Sequence, residues 1–264
     1  CHGARPPPVR PLGVATRGTT AAGRLRRVDR WLVATYPRLL TTADLLVVDL
    51  GFGARPVTTI ELAARVRARN AGARVVGLDI DPERVAAAAP SAGSGVEFAV
   101  GGFELAGLRP HVVRALNVLR QYDEADSATA WRQLTASLAP GGLVVEGTCD
   151  ESGSVGAWVA LDRAGPQTLT LTVGLAGRPS EVAARLPKAL IHHNVSGQPI
   201  NALLDDLDRA WQRHADLSVF GRRQRFAAAA GDLRSAGWPV LDGAARWRRG
   251  ELTVSWHAVA PPDR

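Results

Sequence analysis

Leu46-Val47-Val48-Asp49-Leu50-Gly51-Phe52-Gly53-Ala54-Arg55-Pro56 reads as a buried strand that ends in a glycine turn and opens a helix. Leu45 to Val48 is a short apolar run with β-branched residues at its end, which suits a strand. Gly51 and Gly53 relieve the steric limits on the turn and let a ligand approach the backbone. Pro56 suits the first turn of a helix, where its missing N–H would have been an orphan donor anyway. Thr58 to Arg69 follows with Ile60, Leu62, Ala63 and Val66 at helical spacing.

Strand, glycine turn and helix in this order is how α/β sheets bind nucleotides. The nicotinamide fingerprint needs Gly or Ala at its third position, and here Pro56 stands there, so that fingerprint fails. What is present is Asp49-x-Gly51-x-Gly53. Further on, Ala73 to Leu78 is apolar apart from Arg74 and ends in Asp79, an acid placed to accept hydrogen bonds from ribose hydroxyls. Val96 to Val100 and Val112 to Leu116 read as the third and fourth strands. Asn117 stands at the end of the fourth. Trp131 to Leu138 reads as a helix, closed by Ala139-Pro140-Gly141-Gly142, and Leu143 to Glu146 as a fifth strand.

These words, from Leu45 to about Thr148, resemble the motifs of class I methyltransferases that use S-adenosylmethionine (SAM). The resemblance implies that Asp49, Gly51 and Gly53 lie against the amino-acid end of SAM and that Asp79 holds its ribose. It implies that Ile80 packs on the adenine, with Gly102 and Phe103 beside it. Gly102 takes the place where the family often has an acid, so adenine contacts fall to backbone and to Phe103. Asn117 completes the cofactor set. The fold implied is α/β: a Rossmann-like, seven-stranded, mostly parallel sheet with helices on both faces, an antiparallel last strand and a helical insertion in the C-terminal half.

The organisation expected is a single domain with an N-terminal tail and helix (1–37), a SAM-binding core (38–150), and a C-terminal half with substrate-covering helices (151–264). Residues to about Val14 read as a flexible tail without an apolar signal core. Leu25, Val28, Leu32 and Val33 mark one face of an amphipathic helix over Arg24 to Tyr36. Ahead of it, Thr16-Arg17-Gly18-Thr19-Thr20 is either a polar clamp, with Arg17 on substrate or cofactor, or a helix start capped by Thr19 or Thr20. Beyond the core, Trp158 to Leu161 and Thr168 to Val173 suggest a hairpin. Pro179 to Leu190 and Ile200 to Ala215 suggest helices, and Glu251 to Val259 an antiparallel edge strand.

Composition narrows the class. A chain 46% hydrophobic and 22% charged is that of a soluble globular protein. No apolar run approaches the ~20 residues that span a membrane. Cys1 and Cys149 offer no disulfide framework. A cytoplasmic location is the default expectation. The formal net charge is +7 and Lys188 is the only lysine, so the positive charge is almost all arginine. Scattered arginines are solvated more often than they bind nucleic acid, which is possible as a partner but not favoured.

For chemistry, His192 and His193 are the base candidates, since histidine titrates near neutral pH. Asp123 and Asp150 stand behind them, and Arg120 and Tyr122 join Arg17 as acceptor contacts. Cys149 lacks the context of a nucleophile. The two histidines, together with Asp123 or Asp150, are also candidates for a metal site, although no metal is the expectation. The favoured activity is SAM-dependent methylation of a hydroxyl on a small molecule or saccharide, by a monomer or homodimer. RNA or protein methylation, and SAM or nucleotide binding without catalysis, are the alternatives.

Overall fold

The computed structural model describes residues 12–15, 20–174 and 177–262. The first helix, α1 (Arg26–Thr35), is followed by the short α2 (Pro37–Leu40). Then come β1 (Leu46–Leu50), α3 (Val57–Arg67), β2 (Arg74–Asp79), α4 (Pro82–Ala88), β3 (Val96–Val100), β4 (Val112–Leu116), α5 (Glu124–Ala136) and β5 (Leu143–Cys149). A hairpin, β6 (Gly156–Asp162) and β7 (Gly165–Thr172), precedes α6 (Lys188–Ile191), α7 (Pro199–Arg213), α8 (Arg222–Ser235), α9 (Ala244–Trp247) and β8 (Glu251–Ser255).

The eight strands form one sheet in the order β3-β2-β1-β4-β5-β6-β7-β8. All pairings from β3 to β5 are parallel, and the last three are antiparallel. This is a Rossmann-like sheet with one strand more than the seven expected, because both arms of the hairpin join it. The last strand lies at the edge, as its alternation suggested, but it stops at Ser255, and Trp256–Ala258 turns into a 3₁₀ helix.

Strand alternation sorts side chains onto two faces. Val47, Val145, Trp158 and Ala160 face α1 and α3, where Trp31, Leu32, Leu62 and Val66 are buried against them. Val48, Val144, Val159 and Leu171 face the other way, toward Trp131 and Leu134 of α5, Leu203 and Leu207 of α7, and Phe226 of α8. The C-terminal helices therefore fill this second face. Among the described residues no helix is long and apolar enough to cross a membrane.

Local signals place the main turns. Asp81, just ahead of Pro82, caps α4 through the Glu83 N–H at 2.9 Å. Asp123 caps α5 through the Asp126 N–H at 2.8 Å, so that helix starts seven residues before Trp131. The start of α1 has no side-chain cap: Leu25 sits there, and Thr20 instead donates to the Phe52 carbonyl at 3.0 Å. Thr19 and the rest of residues 16–19, with the clamp expected at Arg17, lie outside the described residues.

Candidate active site

In the strand order, the chain winds outward in both directions from β1 and β4. Their carboxyl ends form the switch point where open α/β sheets bind ligands. Two cavities open there, one on each side of the Gly51 turn.

The larger has a volume of about 660 Å³, and Thr20, Arg24, Asp49, Gly51, Asn117 and Arg120 are among its walls. Gly51 has φ +70°, and a Cβ there would stand 2.8 Å from Cγ2 of Val118. Glycine is required both by the dihedral and by the close approach. Its N–H donates to the Leu78 carbonyl at 2.7 Å, which ties the turn to β2. Asn117 also has positive φ, +63°, which asparagine tolerates better than most residues. Its N–H donates to the Gly147 carbonyl at 2.7 Å and its side-chain oxygen accepts the Cys149 N–H at 3.0 Å. Asn117 thereby clasps the ends of β4 and β5. Its amide N–H reaches the buried Cys149 sulfur at 3.3 Å, which leaves Cys149 packed.

The floor of this cavity contains a charge network that sequence reading missed. Asp49 and Arg114 are directly paired in the β1–β4 register. Arg114, fully buried, donates to Asp49 at 2.9 Å from Nε and pairs with it at 2.7 Å from Nη2. It also pairs with Asp29 of α1 and donates to the Thr58 carbonyl at 3.0 Å. Thr59 donates to Oδ2 of Asp49 at 2.7 Å, the oxygen that Nη2 of Arg114 also meets, and Arg65 reaches Asp29 at 3.1 Å. Burial pushes the Asp29 carboxyl up, and Arg114 opposes the shift. Burial likewise pulls on Arg114, but the two carboxylates outweigh it and hold the guanidinium well above its usual range. The signal was an arginine inside an otherwise apolar central strand, because a fully buried arginine requires partners. Asp49 therefore meets the cavity with its carboxylate already engaged inside the fold.

The smaller cavity is walled by Gly51, Asp79, Ile80, Gly102, Phe103 and Tyr122, together with Leu12, Gly13 and Val14. Asp79 is buried. Its carboxylate accepts the Gly53 N–H at 2.9 Å and the Asp81 N–H at 3.1 Å, and Arg84 lies at 3.5 Å. Residues 12–14 form a strap here, where a free tail was expected. The Phe103 N–H donates to the Leu12 carbonyl at 3.0 Å and the Leu12 N–H to Glu104 at 2.7 Å. Gln121 donates to the Val14 carbonyl at 2.8 Å, and the Val14 N–H donates to the Tyr122 hydroxyl. Only about 20 Å³ remains under the strap, room for a water molecule. Burial raises the Tyr122 pKa.

Asp49, Gly51, Asp79, Ile80, Gly102, Phe103 and Asn117 thus converge on these two cavities, as do Arg120 and Tyr122. Gly53 adjoins them through its bond to Asp79. The two histidines stand elsewhere. His193 is buried, with Nε2 2.6 Å from Glu124 at the start of α5, and His192 is exposed; neither lines either cavity. Residues 179–226 contribute no wall to them either. The carboxylate of Asp123 is used as a cap, and that of Asp150 accepts the Ser154 N–H at 2.9 Å within its own turn. Sequence reading also passed over Glu151, which lines the larger cavity with its side chain exposed. Among the described residues no cluster of three metal-ligating side chains occurs.

No family model and no curated protein matches the sequence. Solved structures do. The chain is similar to magnesium protoporphyrin IX methyltransferase from Synechocystis PCC 6803 with bound SAH, at 26% identity over 48% of this chain and 55% of that one (TM-score 0.38). It is also similar to a putative sarcosine dimethylglycine methyltransferase from Galdieria sulphuraria, at 15% identity over 52% and 55% (TM-score 0.36). A third is a putative type II methyltransferase from Anaeromyxobacter dehalogenans, at 21% identity over 53% and 52% (TM-score 0.37). The chain spans about half the length of these proteins. In its strand order and its switch-point cavities the chain has a Rossmann-like architecture.

Proposed function

We propose that the chain is a SAM-dependent methyltransferase acting on a small-molecule acceptor, with a hydroxyl of a small molecule or saccharide as the favoured nucleophile. One observation carries this reading: the Gly51 turn and Asp79 stand together at the switch point, with cavities on both sides. The residues present fit the cofactor once the strap of residues 12–14 lifts from the smaller cavity. Gly51 and Gly102 keep the turn edges free of side chains, and a Cβ at Gly102 would fall 2.0 Å from the Leu12 carbonyl oxygen. Asp79 would take the ribose, Ile80 and Phe103 the adenine, and Arg120 the carboxylate of the amino-acid end, in the forked geometry that arginine favours.

Bound SAM supplies the electrophilic methyl group; the chain supplies alignment and a dry site. The larger cavity would receive the acceptor beside Asn117. Glu151 at its mouth is the candidate to take the acceptor's proton, since Asp49 is bonded within the fold and the histidines lie outside the cavity. A second reading, methylation of RNA or protein, draws on the +7 charge. Binding of SAM without transfer is the third.

Calorimetry with SAM, and with NADH as the control, tests the cofactor. SAM should bind, and Asp79→Ala should weaken it by about 1–3 kcal/mol. NADH binding without SAM binding would reject the reading. Labelled SAM incubated with small metabolites, glycans, RNA and protein then separates the acceptor classes. Label in none of them favours binding alone.

A further inference from the structure

A further concavity, of about 370 Å³, lies on the α1 side of the molecule, walled by Arg26, Arg27, Arg30, Arg223, Arg249 and Glu251. The arginines come from three places: α1, the start of α8, and the turn between α9 and β8. Arg27 is fixed in place, donating to the Thr172 hydroxyl at 3.2 Å and to the Arg249 carbonyl at 2.8 Å. The single carboxylate in the wall, Glu251, is buried and paired with Arg246 at 2.9 Å, so its charge is already met. Arg26, Arg30, Arg223 and Arg249 are exposed, and no ion pair formed among the described residues engages their side chains. Several guanidinium groups held around one hollow repel each other unless an anion sits between them. Arginine forks match the oxygens of phosphate groups.

The sheet register relates this hollow to the candidate active site. Glu251 pairs with Thr172, Thr172 with Gly156, and Gly156 with Cys149. The arginines thus stand at the same edge of the sheet as the carboxyl end of β5, three strand steps or roughly 14 Å along it. The start of α1 bridges the two places. Arg24, which lines the larger cavity, donates to the Cys149 and Asp150 carbonyls at 3.2 Å and 2.9 Å, and Arg27 lies three residues on.

We propose that this concavity binds the phosphate or diphosphate end of an elongated acceptor whose other end reaches the larger cavity. That the bound molecule is an acceptor rests on the methyl-transfer reading; that the hollow takes a phosphate does not. A walled hollow collecting four exposed arginines favours a compact phosphate group over a long nucleic-acid strand, which would need a basic track.

Titration of the full chain with inorganic pyrophosphate tests this. Binding should appear and should weaken between about 50 mM and about 200 mM salt as counterions compete. The triple variant Arg30→Gln, Arg223→Gln, Arg249→Gln should lose roughly tenfold or more in that affinity. Exposed sites tolerate such changes, so it should remain folded. Arg132→Gln, on a different surface, should bind pyrophosphate as before. Absence of pyrophosphate binding, or binding indifferent to the triple variant, overturns the proposal. So does a single-stranded RNA oligonucleotide that binds through these arginines and that pyrophosphate does not displace. SAM titrated into the same samples keeps the two readings apart. Pyrophosphate binding without SAM binding removes the methyl-transfer reading and leaves the phosphate site standing.

Discussion

The carboxylate of Asp79 accepts the backbone N–H of Gly53 at 2.9 Å, which makes the end of β2 and the glycine turn after β1 one unit. The acid placed for the ribose is thus also a fastener of the turn. The two roles separate by substitution. Asp79→Asn keeps an oxygen for the Gly53 N–H and removes the charge. The amide NH2 then faces the Asp81 N–H that the carboxylate had accepted, so the change should cost about 1 kcal/mol in urea unfolding, less than Asp79→Ala, while weakening SAM by about 1–3 kcal/mol. Asp79→Ala should lose in both measurements, because a buried donor is left without a partner. Equal SAM affinity in wild type and Asp79→Asn would show that the acid serves the turn alone.

Arg114 is held between Asp29 and Asp49 with no exposure to solvent. Removing it leaves two buried carboxylates facing each other. Arg114→Leu should therefore destabilise the chain by about 3–5 kcal/mol. Adding Asp29→Asn to that variant should recover part of the loss, since one of the stranded charges disappears. The check is a double-mutant cycle in denaturant unfolding. Strict additivity of the two changes would contradict the coupling.

What the sequence revealed and what it hid follow from the range of the interactions. The Gly51 turn and the acid at Asp79 are local devices, each set by a few adjacent residues, and they could be read directly. Of the five parallel strands, β1, β2, β4 and β5 announced themselves as apolar runs because both sheet faces are covered there, whereas β3 lies half-exposed at the edge. The Asp29–Arg114–Asp49 network joins residues 85 and 65 positions apart, so only the oddity of an arginine within Val112–Leu116 hinted at it. The strap is hidden for a similar reason: nothing near Leu12 signals that its carbonyl meets the Phe103 N–H. The histidine pair illustrates the opposite error of weight. Residue type suggested a base, yet His193 is spent on Glu124, a contact fixed by how α6 packs beside α5.

The strap makes its own prediction. With Leu12–Val14 in place the smaller cavity holds little more than a water, so an adenine can enter only if the strap lifts. Tyr122→Phe removes the hydroxyl that engages Val14. The strap should then open more often, and amide exchange at Phe103, whose N–H donates to Leu12, should quicken. If the open form is the one that binds, apparent SAM affinity should rise by the same factor as the open population. Faster exchange with weaker SAM binding would show instead that the Tyr122 hydroxyl is itself a ligand contact.

Glu146 provides a prediction about pH. It lies inside β5, accepts the Trp131 indole N–H at 3.2 Å and is 1% exposed. Burial pushes its pKa up to about 8 from the ordinary 4.5, and the Trp131 bond opposes the shift. The folded state therefore keeps a proton that the unfolded chain releases from about pH 4.5 upward. Since the folded form binds more protons across that window, stability falls as pH rises from about 4.5 to about 8 and levels off above it. The limiting slope from this one group is about 1.4 kcal/mol per pH unit. Glu146→Gln retains an oxygen for Trp131 and cannot ionise. It should flatten this fall, so the variant gains on the wild type most at pH 8 and least at pH 5. Urea unfolding at a series of pH values measures the difference, and a gap that stays constant from pH 5 to pH 8 would mean that Glu146 ionises in the folded chain as it does in the unfolded one.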